Sequence, residues 1–128
     1  MNAGSDFPRI RPSDFGKESY DEFYSMGLGA MSPDRVYKTK FSTKERKVWQ
    51  EVGYYSSEVA VIENPQINGE CVILLLATPF EISTETPSAF LVVLEGDNLE
   101  ELDRAYFPEE VRLPWMAHST WVTQVGLM

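Results

Sequence analysis

Two apolar runs constrain the fold of this chain more than any other feature. Residues 70–78 and 89–94 consist almost entirely of Val, Ile, Leu, Ala and similar side chains, with no charge after Glu70. Runs of this length suit β-strands better than helices. Because both faces of such strands are apolar, both faces of their sheet need a cover. The sequence therefore predicts a central sheet that is covered by helices, by an N-terminal arm or by a partner.

Three further segments have the composition or alternation of strands. Residues 36–41 place Tyr37 and Phe41 on one face and Lys38 and Lys40 on the other, which predicts a half-exposed strand. Residues 57–63 are rich in β-forming side chains, and residues 119–128 alternate again. Between two of the predicted strands, residues 64–69 end in an Asn-Gly pair that suits a tight turn.

Two segments match the pattern of a helix start. Ser42 and Glu45 have the spacing of a capping box, which predicts a helix of about ten residues that ends at Gly53. Asp97 begins a second such pattern, which predicts a helix to about Tyr106. Together with the strands, these helices predict an α+β fold: a small mixed or antiparallel sheet of about four to five strands with two short helices.

Residues 1–34 differ from the rest of the chain. They contain three of the eight prolines and four of the eight glycines, yet they are rich in aromatic side chains. This composition predicts an irregular, aromatic-rich N-terminal arm, followed by a single α+β domain over residues 35–128. Tyr20, Phe23 and Tyr24 have helical spacing near 18–26 and are the predicted contact residues of the arm. The arm either docks onto a partner or packs on its own domain.

Charge is divided unequally along the chain. Residues 1–50 carry nine basic and seven acidic side chains, whereas residues 51–128 carry two basic and thirteen acidic ones. Such a division concerns partners rather than fold. It predicts a non-enzymatic, acidic protein–protein interaction module of the inhibitor, immunity-type or nucleic-acid-mimic kind, which binds a basic surface on another protein. The predicted acidic patch consists of Glu95, Asp97, Glu100, Glu101, Asp103, Glu109 and Glu110.

Two alternative functions remain open from the sequence. The chain could be a structural or accessory subunit that docks into a larger assembly, or onto a second copy, through the N-terminal arm. A lesser alternative is contact with nucleic acid through the basic segment 35–47. The net charge of −9 opposes approach to a polyanion, so nucleic acid is the less favoured partner. The basic patch of this segment consists of Arg35, Lys38, Lys40, Lys44, Arg46 and Lys47.

No catalytic or metal-binding pattern is evident in the sequence. His118 is the only histidine, and the adjacent Ser119 would point to the opposite face of a strand, so the pair predicts no catalytic dyad. Cys71, the only cysteine, lies inside an apolar run and is predicted to be a buried thiol. One cysteine and one histidine cannot form a zinc site. We therefore predict no catalytic residue, metal or cofactor and, without a signal peptide or membrane span, a cytoplasmic location.

Overall fold

The structure is a computed structural model that describes residues 4–29, 33–81, 88–114 and 118. About half of these residues lie in β-strands, and the described part of the chain contains no α-helix, only a 3-10 turn at Pro12–Asp14. The nine strands are β1 (Ser5–Arg9), β2 (Glu22–Leu28), β3 (Pro33–Lys40), β4 (Glu45–Gln50), β5 (Tyr54–Ser56), β6 (Ala60–Glu63), β7 (Cys71–Pro79), β8 (Phe90–Glu95) and β9 (Glu101–Tyr106).

The strands form two antiparallel sheets that follow each other along the chain. The first sheet has the order β1-β2-β3-β4, and the second has the order β5-β7-β8-β9, with β6 pairing with β7 as well. Each strand of the first sheet pairs with its neighbour in sequence, so the sheet is a meander. The predicted α+β fold with two helices is therefore wrong. Two stacked antiparallel sheets take its place.

The first predicted helix is a hairpin. Phe41–Lys44 is a turn, and β4 follows it in antiparallel register with β3. The side chains of the expected capping box bind elsewhere: the Ser42 amide and hydroxyl both donate to the carboxylate of Asp21, at 2.8 and 2.7 Å. The Thr43 hydroxyl donates to the carboxylate of Glu45. A capping box and a tight turn use the same residue types, so the sequence alone does not distinguish them. The pairing of β4 with β3 selects the turn.

The second predicted helix is also a turn followed by a strand. The carboxylate of Glu95 accepts hydrogen bonds from the amides of Asp97 and Asn98, at 3.0 and 2.9 Å. Leu99 then adopts a positive φ of 59° and is buried, so the chain reverses instead of continuing as a helix. The edge strand β9 pairs with β8 over the residues that were expected to be helical.

The N-terminal segment is part of the first sheet. Residues 1–34 contain β1, β2 and the start of β3, so their description as an irregular arm is wrong. Tyr20, Phe23 and Tyr24 do not share a helix face, because Tyr24 lies on β2 with no exposed surface while Tyr20 is about half exposed. The predicted domain boundary between residues 34 and 35 falls inside β3. Residues 119–128, predicted as a strand, lie outside the described residues.

The predictions for β7 and β8 are confirmed. Both are strands, they pair with each other, and β6 and β7 are joined through the predicted turn, in which Gly69 has a φ of 84°. Side chains alternate along both strands between fully buried and half-buried positions. The buried side faces the first sheet and forms the core together with Tyr24, Val36 and Trp49. One face of each sheet therefore supplies the core, and polar groups meet where the sheets approach each other.

Candidate functional site

A buried hydroxyl links the two sheets. Tyr24 on β2 donates its hydroxyl to the carbonyl of Gly96, which follows β8, at 2.7 Å. The same hydroxyl lies 3.3 Å from the Cys71 thiol on β7 and 3.4 Å from the Arg11 guanidinium. Burial and the Cys71 contact raise the pKa of Tyr24 well above its ordinary value. The hydroxyl therefore keeps its proton and acts as a hydrogen-bond donor in the core.

Ion pairs surround this hydroxyl. Arg11 pairs with Glu22 at 2.9 Å, and Lys38 approaches the other oxygen of Glu22 at 3.3 Å. Lys38 also donates to the backbone carbonyl of Asp97 at 3.0 Å. We call Arg11, Glu22, Tyr24, Lys38, Cys71 and Asp97 the inter-sheet network. All members except Asp97 are largely buried and bind one another, which indicates a structural role, because a reacting group needs access to substrate.

The inter-sheet network contains one member of each predicted binding set. Tyr24 comes from the predicted arm contacts, Lys38 from the predicted basic patch and Asp97 from the predicted acidic patch. Lys38 was expected on an exposed strand face, but its side chain is only 8% exposed. The sequence patterns identified polar residues that make contacts, and the contacts of these three lie within the chain itself.

A second polar cluster contains the only histidine. Glu58, between β5 and β6, is 4% exposed, and its Oε2 lies 3.1 Å from Nδ1 of His118. Arg9 at the end of β1 donates its Nε–H to the other oxygen, Oε1, at 2.6 Å. The His118 side chain is 72% exposed. A buried carboxylate thus binds one nitrogen of an imidazole that solvent reaches.

An aromatic ring completes this cluster. The ring of Phe7 on β1 meets the imidazole of His118 edge to face, with centroids 4.7 Å apart and planes at 89°. Such T-shaped contacts favour one ring orientation over others. We call Phe7, Arg9, Glu58 and His118 the histidine cluster.

In the histidine cluster, a carboxylate lies within hydrogen-bond distance of one imidazole nitrogen and can fix the tautomer of the ring. When a carboxylate accepts the Nδ1 proton, the lone pair lies on Nε2, which can then accept a proton or bind a metal ion. The described residues contain no group of three or more His, Cys, Asp and Glu side chains that could hold a metal ion. Within the part of the chain that the structure describes, His118 can therefore supply one ligand and not a complete site.

Two members of the predicted acidic patch, Glu95 and Glu101, make local contacts through their carboxylates. Glu95 binds the amides of the β8–β9 turn, and Glu101 pairs with Arg104, whose hydrogen bond is the main cause that lowers the pKa of Glu101. Arg104 in turn lies over the ring of Phe90 at 4.1 Å. The remaining members are Asp97 in the inter-sheet network and the exposed residues Glu100, Asp103, Glu109 and Glu110.

Several members of the predicted basic patch and of the predicted arm contacts bind neighbours within the first sheet segment. Arg35 pairs with the adjacent Asp34 at 2.6 Å, and Arg46 lies over the ring of Tyr37 at 4.4 Å. Lys40 is half-buried, whereas Lys44 and Lys47 are exposed. Tyr20 and Phe23 both lie near the exposed ring of Phe41, at 6.1 and 5.0 Å between centroids. Of the six basic residues, only Lys38 reaches the second sheet through a contact described above.

Sequence reasoning missed Glu58 and Arg9. They lie 60 and 109 positions before His118 in the sequence, and nothing in the composition around either one marks it as a partner of an imidazole. A single glutamate in a β-rich segment has no periodicity that distinguishes it. The pairing is visible only once the fold brings β1, the β5–β6 connection and residue 118 together.

The sequence is similar to carotenoid-cleaving dioxygenases. No family model matches the chain. It is 34% identical over 122 residues to a protein of Macaca fascicularis named "Carotenoid-cleaving dioxygenase, mitochondrial", and 33% identical over 122 residues to the human protein of that name. In both cases the alignment includes 93% of this chain, but only 21% and 20% of the relative. The chain thus spans about a fifth of the length of the curated relatives it matches.

Solved structures show the same fold. A chimera of ACO and RPE65 and a point mutant of Synechocystis ACO each superpose with a TM-score of 0.80, at 14% identity, over 95% of this chain and 26% of theirs. The matched parts, about a quarter of each of these chains, are sections of a β-propeller. In β-propellers, four-stranded antiparallel sheets are arranged around a central axis. The two successive sheets of this chain match that architecture.

These similarities overturn the predicted function. The proteins that resemble this chain are enzymes, so the prediction of a non-enzymatic acidic interaction module, with its inhibitor and mimic variants, is wrong. The docking-subunit and nucleic-acid alternatives have no support from these relatives. Among the described residues, no helix has the length and apolar character needed to cross a membrane.

Proposed function

We propose that this chain is a section of an enzyme of the carotenoid-cleaving dioxygenase type. In this proposal it supplies two antiparallel sheets to the body of the enzyme and one histidine, His118, to the reaction centre. The observation that carries the proposal is the 34% identity over 93% of this chain to a protein of that name. The reaction and the carotenoid substrate are taken from the relatives' name alone.

The histidine cluster supports this proposal. Dioxygenases act on O₂, and O₂ chemistry in proteins depends on a redox-active cofactor such as haem, flavin, copper or non-haem iron. Imidazole is a favoured ligand of iron and copper, and a metal-bound histidine almost always donates its other N–H to a carboxylate or carbonyl. Glu58 stands in that position relative to His118. His118 therefore fits one position in the coordination of such a metal.

In this proposal His118 binds the metal and Glu58 orients His118, and no bond of the substrate is made or broken on either side chain. Glu58 would hold the Nδ1 proton of His118, so that Nε2 presents its lone pair. A bound metal would supply the activation of O₂. The described residues offer no complete ligand set, so in this proposal the remaining ligands come from other parts of the enzyme.

The inter-sheet network supports the same role. The histidine cluster joins β1 of the first sheet to the β5–β6 connection of the second, so its geometry depends on how the two sheets are held together. Tyr24, Arg11 and Lys38 fix that relation through contacts across the sheets. Catalytic groups need placement to a fraction of an ångström, and Glu58 and His118, which lie outside the nine described strands, would depend on their contacts with β1 for it.

A segment exchange tests the proposed function. The matched 122 residues of the human relative are replaced by those of this chain, and cleavage is followed as loss of the visible absorption of a carotenoid. We expect the exchange protein to cleave the carotenoid. His118→Ala should abolish cleavage, and Glu58→Gln should lower it by roughly 10- to 100-fold, the usual cost of losing such a supporting carboxylate.

The matched control is Ile67→Ala, which alters an exposed side chain in the turn between β6 and β7. It should leave the cleavage rate unchanged. A folded exchange protein that cleaves no carotenoid would contradict the proposal, and so would a His118→Ala variant as active as its parent. Circular dichroism of each variant shows whether the β-sheet content is retained.

For the compartment, the relatives' names suggest mitochondria and not the cytoplasm predicted from the sequence. We include a mitochondrial location in the proposal on that ground alone. Fractionation of cells that express the native gene, with immunodetection of this chain, tests it. Recovery in the cytosolic fraction would refute this part and leave the proposed chemistry untouched.

A further inference from the structure

The edge strand β1 contains an irregularity beside the histidine cluster. Its register with β2 shifts between Asp6 and Arg9, where β1 has one residue more than its partner. Within this bulge Phe7 has a φ of 52°, and its amide donates to the carboxylate of Asp6 at 2.8 Å. A positive φ is strained for an aromatic residue and persists only where the surroundings impose it.

Phe7 and Arg9, the two ends of the bulge, each contact one member of the Glu58–His118 pair. The Phe7 ring packs edge to face on His118, and two residues later the Arg9 guanidinium binds Glu58. The two oxygens of Glu58 are thereby divided: Oε1 receives the Arg9 Nε–H at 2.6 Å, and Oε2 faces Nδ1 of His118 at 3.1 Å. Bulges often serve to re-aim side chains near functional sites.

We propose that the β1 bulge is a positioning device for His118, with Arg9 and Phe7 as its positioning residues. Arg9 fixes the rotation of the Glu58 carboxylate, because a charge-assisted hydrogen bond to one oxygen determines where the other points. Phe7 restricts the imidazole ring to the plane in which Nδ1 meets that oxygen. This inference deepens the proposed function and depends on it for its catalytic meaning, whereas the positioning itself concerns only residues of this chain.

The single histidine makes a direct test possible. In the 128-residue chain, labelled with ¹⁵N in its imidazole, every histidine side-chain signal comes from His118. At about pH 8.5 an ordinary imidazole is neutral, and its nitrogen shifts report which nitrogen carries the proton. We expect the parent chain to show the Nδ1–H tautomer.

Two substitutions remove the two positioning contacts separately. Arg9→Gln removes the charged donor to Glu58, and Phe7→Asn removes the ring while keeping a residue type that tolerates positive φ. In both variants the Nδ1–H signal should lose intensity and an Nε2–H signal should appear. Arg9→Lys should restore part of the Nδ1–H signal, because it returns the charge without the geometry of the guanidinium. The control Arg35→Gln removes an arginine that pairs with the adjacent Asp34, and it should change nothing.

The outcomes separate this inference from the proposed function. An unchanged Nδ1–H signal in folded Arg9→Gln and Phe7→Asn chains would overturn the inference, as would an Nε2–H tautomer in the parent. An inactive segment-exchange protein would refute the proposed function even where the tautomer depends on Arg9 and Phe7. If either variant fails to fold, as judged by its amide spectrum, Arg9→Lys decides the matter: a tautomer identical to that of the parent counts against the role of the guanidinium.

Discussion

The Tyr24 hydroxyl is the contact whose removal tests most directly how the two sheets are joined. Tyr24→Phe deletes one oxygen and retains the ring, so the apolar packing of β2 against the second sheet is preserved. The lost atom donates to the Gly96 carbonyl at 2.7 Å and lies near the Cys71 thiol and the Arg11 guanidinium. Because Tyr24 has no exposed surface, water cannot replace the hydroxyl without opening the core.

The expected loss follows from the position of this bond. A typical intramolecular hydrogen bond contributes about 0.5–1.5 kcal/mol net, while a buried acceptor that loses its donor costs about 1–3 kcal/mol. The Tyr24 bond belongs to the second case, so we expect the free energy of unfolding to fall by about 1–3 kcal/mol. With a urea m-value of about 1–3 kcal/mol per molar, the unfolding midpoint should fall by about 1 M while m stays constant.

Urea unfolding followed by circular dichroism measures this loss. The matched control is Tyr20→Phe, whose parent side chain is about half exposed, and it should change the free energy of unfolding by less than about 0.5 kcal/mol. Equal effects of Tyr24→Phe and Tyr20→Phe would refute the reasoning, because the buried bond would then contribute no more than an exposed hydroxyl.

Alkaline pH offers a second measure of the same group. Burial raises the pKa of Tyr24, so the folded chain keeps this proton at a pH where the unfolded chain, with an ordinary tyrosine pKa of about 10, loses it. The folded state then binds more protons, and stability contributed by Tyr24 is lost as the pH rises above about 10. Tyr24→Phe should therefore show a shallower alkaline loss of stability than the parent. The raised pKa of Tyr54, caused mainly by burial, leaves part of the slope in both proteins.

Two further predictions concern turns. Gly96→Ala would place a Cβ 2.3 Å from the sulfur and 2.6 Å from the backbone oxygen of Cys71. We therefore expect the free energy of unfolding, measured by thermal unfolding, to fall by about 1–3 kcal/mol. The control Gly4→Ala, whose Cβ would lie 3.8 Å from its nearest neighbour, should leave this free energy unchanged. Ser42→Ala removes the hydroxyl that, with the Ser42 amide, lowers the pKa of Asp21, so that pKa should rise toward its ordinary value in a carboxylate NMR titration. Since a lowered pKa stabilises the fold above the unfolded pKa and this is lost as the pH falls through the folded pKa, the Ser42→Ala chain should be less stable than the parent near neutral pH and should lose less stability on acidification. A Gly96→Ala chain as stable as the parent, or an unchanged Asp21 pKa, would contradict these expectations.

Strands made of continuous apolar residues could be predicted from the sequence. Strands that follow a turn rich in polar residues could not, because the same residues also begin helices. The segments 71–77 and 89–94 are apolar at every position, and apolar runs of that length suit β-strands better than helices, so β7 and β8 were predicted correctly. Around Ser42 and Asp97 the local pattern fits both a helix start and a hairpin turn. In the structure, β4 pairs with β3 and β9 pairs with β8, so both segments are strands. A single sequence does not show which strands pair.

The histidine cluster could not be predicted for a different reason. His118 is conspicuous as the only histidine, but the roles of an imidazole depend on its partner, and the partner Glu58 lies 60 residues away. The bulge at Phe7 is hidden as well, because a phenylalanine gives no sign of a positive φ in the way that glycine or asparagine does. The charge distribution predicts the wrong function because basic and acidic residues pair with each other across the two sheets, which the sequence alone does not show.

Those ion pairs explain the division of charge along the chain. The first fifty residues, with their basic excess, form the first sheet, and the lysine-free segment that follows forms the second. Among the described residues, three ion pairs join a basic residue of the first segment to an acidic residue of the second: Arg9 with Glu58, Arg11 with Asp97 at 3.6 Å, and Lys38 with Asp97 at 3.4 Å. For these residues, the basic surface that the acidic segment was expected to bind lies in the same chain. Partly exposed ion pairs add little stability, so we expect these pairs to contribute more to the placement of one sheet on the other than to the free energy of unfolding. One of these pairs, Arg9 with Glu58, is itself part of the histidine cluster, so the basic first segment and the acidic second segment meet at Glu58, the partner of His118.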